Sequence, residues 1–251
     1  MTRLLVRVSL MCGLLLGMAG PASAQVVHSV SFGVGIFNPR AFDSRVAGDT
    51  LVANLTRPEV APGVTDSLDF RIQDFRAVPV NGEWQIAFGR HIELGVGLSY
   101  ANKRVASVYR DLVNGHGTPS EADDTEIRQD LRLRQVPITG VVRVVFGPQD
   151  GVQGYVGGGV AAVVFRYSEV GEFVDTDDFS VFQGRFVASD VALGGVLLGG
   201  ARFGLGGDIY ALTLEGRYQF ANGKTGGLPN FLGDKIDLSG GSINFGFLVR
   251  F

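Results

Sequence analysis

An alternation of apolar and polar residues with a period of two constrains this chain more than any other feature. It restarts eight times between about residue 27 and the last residue. The stretch 235–251, KIDLSGGSINFGFLVRF, shows it plainly. Ile243, Phe245, Phe247, Val249 and Phe251 fall on one parity, and Ser242, Asn244, Gly246, Leu248 and Arg250 on the other. A period of two sustained over nine or so residues is a β-strand whose two faces meet different surroundings. One such strand would suit any sheet, so the constraint lies in the repetition.

A first strand is expected over about residues 27–38, with Val30, Phe32, Val34 and Ile36 against Ser29, Ser31, Gly33 and Gly35. A long polar segment precedes the second, which begins as early as Leu68 and sets Val78, Val80, Trp84, Ile86 and Phe88 against Glu83, Gln85 and Ala87. Two residues later a third strand sets Ile92, Leu94, Val96, Leu98 and Tyr100 against Glu93, Gly95, Gly97, Ser99 and Lys103, and continues to about Val113. In the fourth, about 125–146, Val136, Ile138, Val142, Val144 and Phe146 oppose Gln135, Thr139 and Arg143. Its first half places Arg128, Asp130, Arg132 and Arg134 on the apolar parity. Either Pro137 marks a bulge that re-phases the strand, or this half projects above a membrane with both faces wet. The fifth, about 152–173, sets Tyr155, Ala161, Val163, Phe165 and Tyr167 against Arg166. The sixth opposes Val191, Leu193, Leu197, Ala201 and Phe203 to Asp190, Ala192, Gly194 and Arg202. The seventh opposes Tyr210, Leu212, Leu214, Tyr218 and Phe220 to Ala211, Thr213, Glu215, Arg217 and Gln219.

Between these eight strands the connections alternate in length, long then short, with the short ones at residues 89–91, 147–151 and 204–208. An even number of antiparallel strands with tight turns on one rim and long loops on the other predicts an all-β, eight-stranded, antiparallel up-and-down transmembrane barrel. The remaining composition agrees. After residue 24 no apolar run approaches the roughly 18 residues of a membrane helix, and the 37 glycines and 18 phenylalanines do not favour helices.

The first residues, MTRLLVRVSLMCGLLLGMAGPASAQ, read as a secretory signal cleaved after Ala24. Arg3 and Arg7 precede an apolar run, and Ala22, Ser23 and Ala24 supply the small residues of a cleavage site. Residues 25–251 are then one barrel domain with an excess of acids over bases, which argues against a nucleic-acid partner. Cys12 is the single cysteine; it lies in that segment, so no disulfide framework is expected.

If the apolar parity faces lipid, the charged residues within the strands belong in the lumen, because a charge on the lipid face at mid-membrane costs about 2–4 kcal/mol. The expected lumen set is Glu83, Glu93, Lys103, Arg143, Arg166, Asp190, Arg202, Glu215 and Arg217. Both signs occur, and eight strands enclose only enough space for side chains to fill. A plug of paired charges is therefore the first expectation, and a gated path or ligand pocket the alternative. Aromatic girdles are expected at Phe88, Phe146, Phe203 and Phe251 beside the short turns, and at Tyr100 and Tyr167 towards the long loops. Strands three to six exceed the roughly 9–11 residues a bilayer needs. The surplus is expected to project as a ribbon whose edges offer strand addition to an extracellular partner. Acidic tips at residues 121–126 and 175–178 lack the spacing of a calcium loop. His28, His91 and His116 fall at a strand start, a short turn and a loop tip, and none is expected beside a plausible serine nucleophile in a lumen or groove. No cofactor, metal site or catalytic group is expected, and an enzyme is not.

The last eight residues resemble the signal by which bacterial outer-membrane barrels are recognised for assembly: a polar residue, a glycine, then a hydrophobic and a terminal aromatic residue, matched by Asn244, Gly246, Val249 and Phe251. RQVPITGVVRVVF and YVGGGVAAVVFRY are similar to the fourth and fifth strands of small barrels of the OmpA/OmpX/OmpW type. That resemblance implies an outer-membrane monomer inserted by the assembly machinery and surrounded by lipid. It implies either a structural or surface-interaction role through long extracellular loops, or an OmpW-like conduit for small solutes, hydrophobic ones among them. No OmpA-type periplasmic domain is expected after the barrel.

Overall fold

The computed structural model describes residues 26–40, 44–55, 59–61, 64–65, 68–109, 127–175 and 180–251. The signal-like segment 1–24, the acidic stretch 121–126 and His116 lie outside the described residues. Eight long strands run β1 (Val26–Pro39), β2 (Val80–Phe88), β3 (Ile92–Val108), β4 (Arg128–Phe146), β5 (Val152–Val174), β6 (Val181–Gly204), β7 (Tyr210–Lys224) and β8 (Gly240–Arg250). Each pairs antiparallel with the next, and β8 pairs with β1 from Ser29↔Arg250 to Pro39↔Gly240, which closes the ring. Up to the level of Gly194↔Ala221, closure pairs nearly all backbone donors and acceptors of the wall strands, as lipid requires. Three tight turns form one rim, and Gly89 and Gly147 sit there at φ 67° and 101°, a region that favours glycine.

Around this rim the outer wall is a belt of exposed apolar side chains. Phe32, Val34, Trp84, Leu94, Val96, Leu98, Val142, Leu193, Leu197, Leu214 and Phe245 all point away from the barrel axis. So much exposed aliphatic and aromatic surface cannot face water over so wide an area; it is the band that meets hydrocarbon.

Two expectations are corrected. On β5 the aromatic parity faces inwards: Tyr155, Phe165 and Tyr167 are buried, whereas Val152, Val156, Val160 and Val164 face out. Tyr167 therefore belongs to no girdle, and Arg166 on the opposite parity lies on the outer wall. Pro137 makes no bulge either. It leaves Ser99 and Tyr100 out of the β3–β4 ladder, but the register is the same on both sides of the gap. Arg128, Asp130, Arg132 and Arg134 thus stay on the outer face, above the point where the apolar belt ends at Val136.

The physical reason lies above the belt. There β3–β6 continue as a curved four-stranded extension, while β7 turns aside to pair Asn222–Lys224 with the short strand Lys235–Asp237. The inner face of the extension is not wet. Leu51, Leu68, Phe70, Ile72 and Phe75 of the first long loop, with Phe231, Ile236 and Leu238 of the last, bury Val105, Tyr109, Leu131, Leu133, Val163, Phe165 and Tyr167. Within the belt the apolar side of a strand faces lipid; above it the apolar side faces this cap. The same alternation carries opposite meanings at the two heights.

Polar anchors hold the cap. The Asp49 carboxylate accepts from the Leu51 N–H (2.9 Å), at the start of a short helix α1 (Thr50–Leu55). It also accepts from the Asp237 N–H at 2.7 Å and from Arg45 at 2.8 Å, and so joins the first loop to the last. Asn54 donates to Glu169 of β5. Burial pushes the Asp49 carboxyl above the usual carboxylate range. The proton-linked part of its contribution is then full below the unfolded-state pKa and is lost as pH rises through the folded value, so mild acid does not release this anchor, while the hydrogen bonds it accepts remain at neutral pH. Asp49→Ala is expected to speed limited proteolysis of residues 40–79 at least several-fold at pH 7, with the heat-modifiable mobility of the barrel unchanged.

Candidate functional site

Within the membrane-spanning section the inward residues of β2, β3, β4, β6 and β7 converge on one layer of charge. Arg143 of β4 is paired with Glu83 of β2 and lies 3.1 Å from Glu215 of β7. Arg217 contacts the same two carboxylates at 3.0 and 2.8 Å. Two guanidinium groups and two carboxylates thus form a four-membered ring. Nearer the tight-turn rim, Arg202 of β6 holds Glu93 of β3 through two nitrogens at 2.7 and 2.6 Å, a bidentate pair. Gln85 links the two groups: its carbonyl accepts from Arg202 at 3.0 Å, and its amide donates to Glu83 at 3.0 Å. The Tyr155 ring lies between them, 5.4 Å from the Arg143 guanidinium and 4.8 Å from that of Arg202, and its hydroxyl donates to Glu215 at 3.2 Å.

Three arginines and three glutamates leave this layer without net charge. Arg143 and Arg202 are almost wholly buried, at 1% and 2% exposed. Small residues opposite make the room. A Cβ at Gly95 would lie 2.6 Å from a Glu83 oxygen and 2.7 Å from an Arg143 nitrogen, so only glycine leaves the pair its space. The cavity left in the layer is about 30 Å³, room for one or two waters. A second cavity of about 60 Å³ lies just above, between the charges and the cap, lined by Phe37, Pro79, Gln135, Pro137 and Ser242 among others. Below, Arg250 reaches across the rim to Gln153 (2.7 Å) and to the Asp208 carbonyl (2.7 Å).

Of the nine charged residues expected in the lumen, the structure brings six together: Glu83, Glu93, Arg143, Arg202, Glu215 and Arg217. Lys103 is on the inner face but higher, half-buried, and joins none of these pairs. Asp190 is exposed on the upper part of β6, which has no strand partner on its β7 side above Gly194. Arg166 faces outwards. Tyr155, Gln85 and Arg250 take part although sequence reasoning did not assign them; Gln153, on the same parity as Tyr155, was the available sign that this side of β5 faces in. Among the described residues no group of three or more histidine, cysteine, aspartate or glutamate side chains could hold a metal ion.

At the barrel seam Asn244 accepts from the Asn81 amide at 3.1 Å. Gly246 sits where a Cβ would come within 2.7 Å of the Thr213 hydroxyl and 2.8 Å of the Phe32 carbonyl. Val249 and Phe251 are on the outer wall. The Phe251 N–H donates to the His28 carbonyl at 2.8 Å, and the two rings stack at 6.2 Å.

A closed eight-stranded ring with an apolar outer belt, tight turns on one rim and a filled, polar interior defines the class: a small outer-membrane β-barrel. No protein-family model matches the chain, and no curated protein matches it. Among solved structures it is similar to OprG from Pseudomonas aeruginosa, at 13% identity and a TM-score of 0.47, over 91% of this chain and 97% of that one. It is similar to Neisserial surface protein A at 12% identity and a TM-score of 0.44, over 90% and 96%. It is also similar to Ail, the attachment invasion locus protein of Yersinia pestis, at 12% and 0.40 over 90% and 99%; that structure is in complex with the heparin analogue sucrose octasulfate.

Breaking a buried pair leaves its partner charge uncompensated, at a cost of about 3–5 kcal/mol. Arg143→Ala strands both Glu83 and Glu215 and is expected to lower the urea unfolding free energy in lipid vesicles by that order. Arg217→Ala, at a more open position, is expected to cost less than half as much.

Proposed function

We propose that this chain is a non-conducting outer-membrane barrel whose role is structural or surface-interacting, carried by the ordered cap built from its long loops. The observation that carries this reading is closure at two heights. The charge layer fills the lumen, and the apolar core of the cap covers it from above. A solute crossing the lumen would have to break paired, buried charges and displace packed aromatic side chains as well. Planar-bilayer recordings of the purified barrel test this: no stable unitary conductance is expected from the wild type. A reproducible single-channel step in the wild type would overturn the plugged reading.

One observation favours a second reading, a conduit for small solutes, hydrophobic ones among them. The β6–β7 ladder stops at Gly194↔Ala221, so above that pair the wall has a seam without backbone pairing between these two strands. That route would run sideways into the membrane and bypass the charge layer. A disulfide introduced across the seam separates the two readings, since only the conduit would lose uptake.

The four residues of the terminal pattern are read as an assembly signal in addition to their place at the seam. Deleting Phe251 is expected to reduce the yield of inserted barrel several-fold, with a smaller effect on the unfolding of barrels already inserted. Equal yields with and without it would refute that role.

A further inference from the structure

We propose that the outer wall directly above the apolar belt is a binding surface for the phosphate groups of outer-leaflet lipid headgroups. The surface is formed by Arg132 and Arg134 of β4, Arg166 of β5 and Arg185 of β6. The inference rests on the placement of the barrel in an outer membrane and is independent of whether the lumen conducts.

Height is the first argument. On β4 the outward residues read Phe146, Val144, Val142, Gly140, Ile138 and Val136, then Arg134, Arg132, Asp130 and Arg128. On β5 they read Val160, Ala162 and Val164, then Arg166 and Ser168. Val136 and Val164 are cross-strand partners, and so are Arg134 and Arg166. The change from hydrocarbon-facing to cationic therefore falls on one rung of the sheet, where lipid headgroups begin. These arginine side chains are exposed on the outer face of the wall.

Charge is the second argument. Arg104 lies directly across from Arg132, and Arg134 directly across from Arg166. Facing cross-strand positions are about 4.5–5.5 Å apart at Cβ, and like charges there are destabilising. Only part of this repulsion is answered within the chain: Arg104 is paired with Asp130, and the Arg132 Nε donates to Asn102 at 2.9 Å. Arg134, Arg166 and Arg185 make no hydrogen bond or ion pair among the described residues. Among the described residues on the outward face of the extension, six arginines (104, 128, 132, 134, 166 and 185) stand against two carboxylates, Asp130 and Glu172. This occurs in a chain of formal net charge −3, so the cluster does not reflect a generally basic surface.

Shape is the third. Arg132, Arg134, Arg166, Ser168 and Arg185 line an outward-facing groove of about 210 Å³ with no acidic residue in its wall. Guanidinium groups bind phosphate through paired N–H donors, and basic pockets at the membrane surface bind headgroups. A soluble polyanion would have to reach down beside the wall into a layer that anionic headgroups already occupy.

The full chain in detergent, titrated by native mass spectrometry, tests the proposal. The probes are bisphosphorylated lipid A, dephosphorylated lipid A, inorganic phosphate and a heparin-type sulfated glycan. Retention of the bisphosphorylated lipid is expected, with at least tenfold weaker binding of the dephosphorylated form and no comparable binding of inorganic phosphate. In the Arg132→Gln, Arg134→Gln, Arg166→Gln triple variant, binding of the bisphosphorylated lipid is expected to fall at least tenfold. Folding of the variant is checked by heat-modifiable mobility; if it fails to assemble, Arg166→Gln alone is read, with at least a threefold fall expected. Equal binding of the phosphorylated and dephosphorylated lipids, or equal binding by wild type and a folded variant, would overturn the proposal. So would binding of the sulfated glycan through these arginines with none of the lipid.

Discussion

A hydrocarbon layer offers no water to an unpaired amide, and the rest of the structure depends on that constraint. Every N–H and C=O of a spanning segment must be bonded within the protein, and strands achieve this only as a closed ring. The eleven-rung ladder between β1 and β8 supplies the closure. Its geometry explains residues that would otherwise look arbitrary: Gly33 opposite Gly246, and the backbone bond from Phe251 to His28. Once the ring is closed, inward and outward residues are fixed for the whole wall, and the chemistry of each face follows from what it meets.

Inside, a narrow ring meets the opposite problem. Its interior is too small for bulk water and too polar to pack as a hydrocarbon core. Buried charges are tolerated only as pairs, and the layer of Glu83, Glu93, Glu215, Arg143, Arg202 and Arg217 is built so that each charge touches an opposite one. Such pairs contribute little net stability compared with a packed apolar core. They do oppose rearrangement, because moving one strand leaves charges without partners. The plug and the wall therefore reinforce each other. Above the membrane the constraint lifts, and the extended strands revert to the logic of a soluble sheet, with an apolar core under loops and charges outside.

The eight strands, their order and their tight turns were legible in the sequence because lipid on one side and a polar lumen on the other impose a strict period of two. The inward set was legible for the same reason on β2, β7 and β8, where belt and strand nearly coincide, and on the lower half of β3. On β5 the reading failed. Phe165 and Tyr167 belong to the soluble cap and Val156 and Val160 to the belt, and the two regimes share one uninterrupted alternation. Arg166 was misplaced with them, since a charge one rung above the belt needs no lumen. Lys103 and Asp190 kept the expected parity, but neither reaches the charge layer.

The sequence by itself determined the number of strands, their antiparallel order and which parity meets lipid in the belt, because these follow from local alternation and connection length. Only the tertiary structure decided where the belt ends on each strand, which charges pair, and that two distant loops close over the extension. Those are matters of register and of contacts between residues more than a hundred positions apart, such as Asn54 with Glu169 and Asp49 with Asp237. No periodicity within one strand encodes its height relative to its neighbours. That height decides whether a charge on the outward parity falls within the apolar belt or above it.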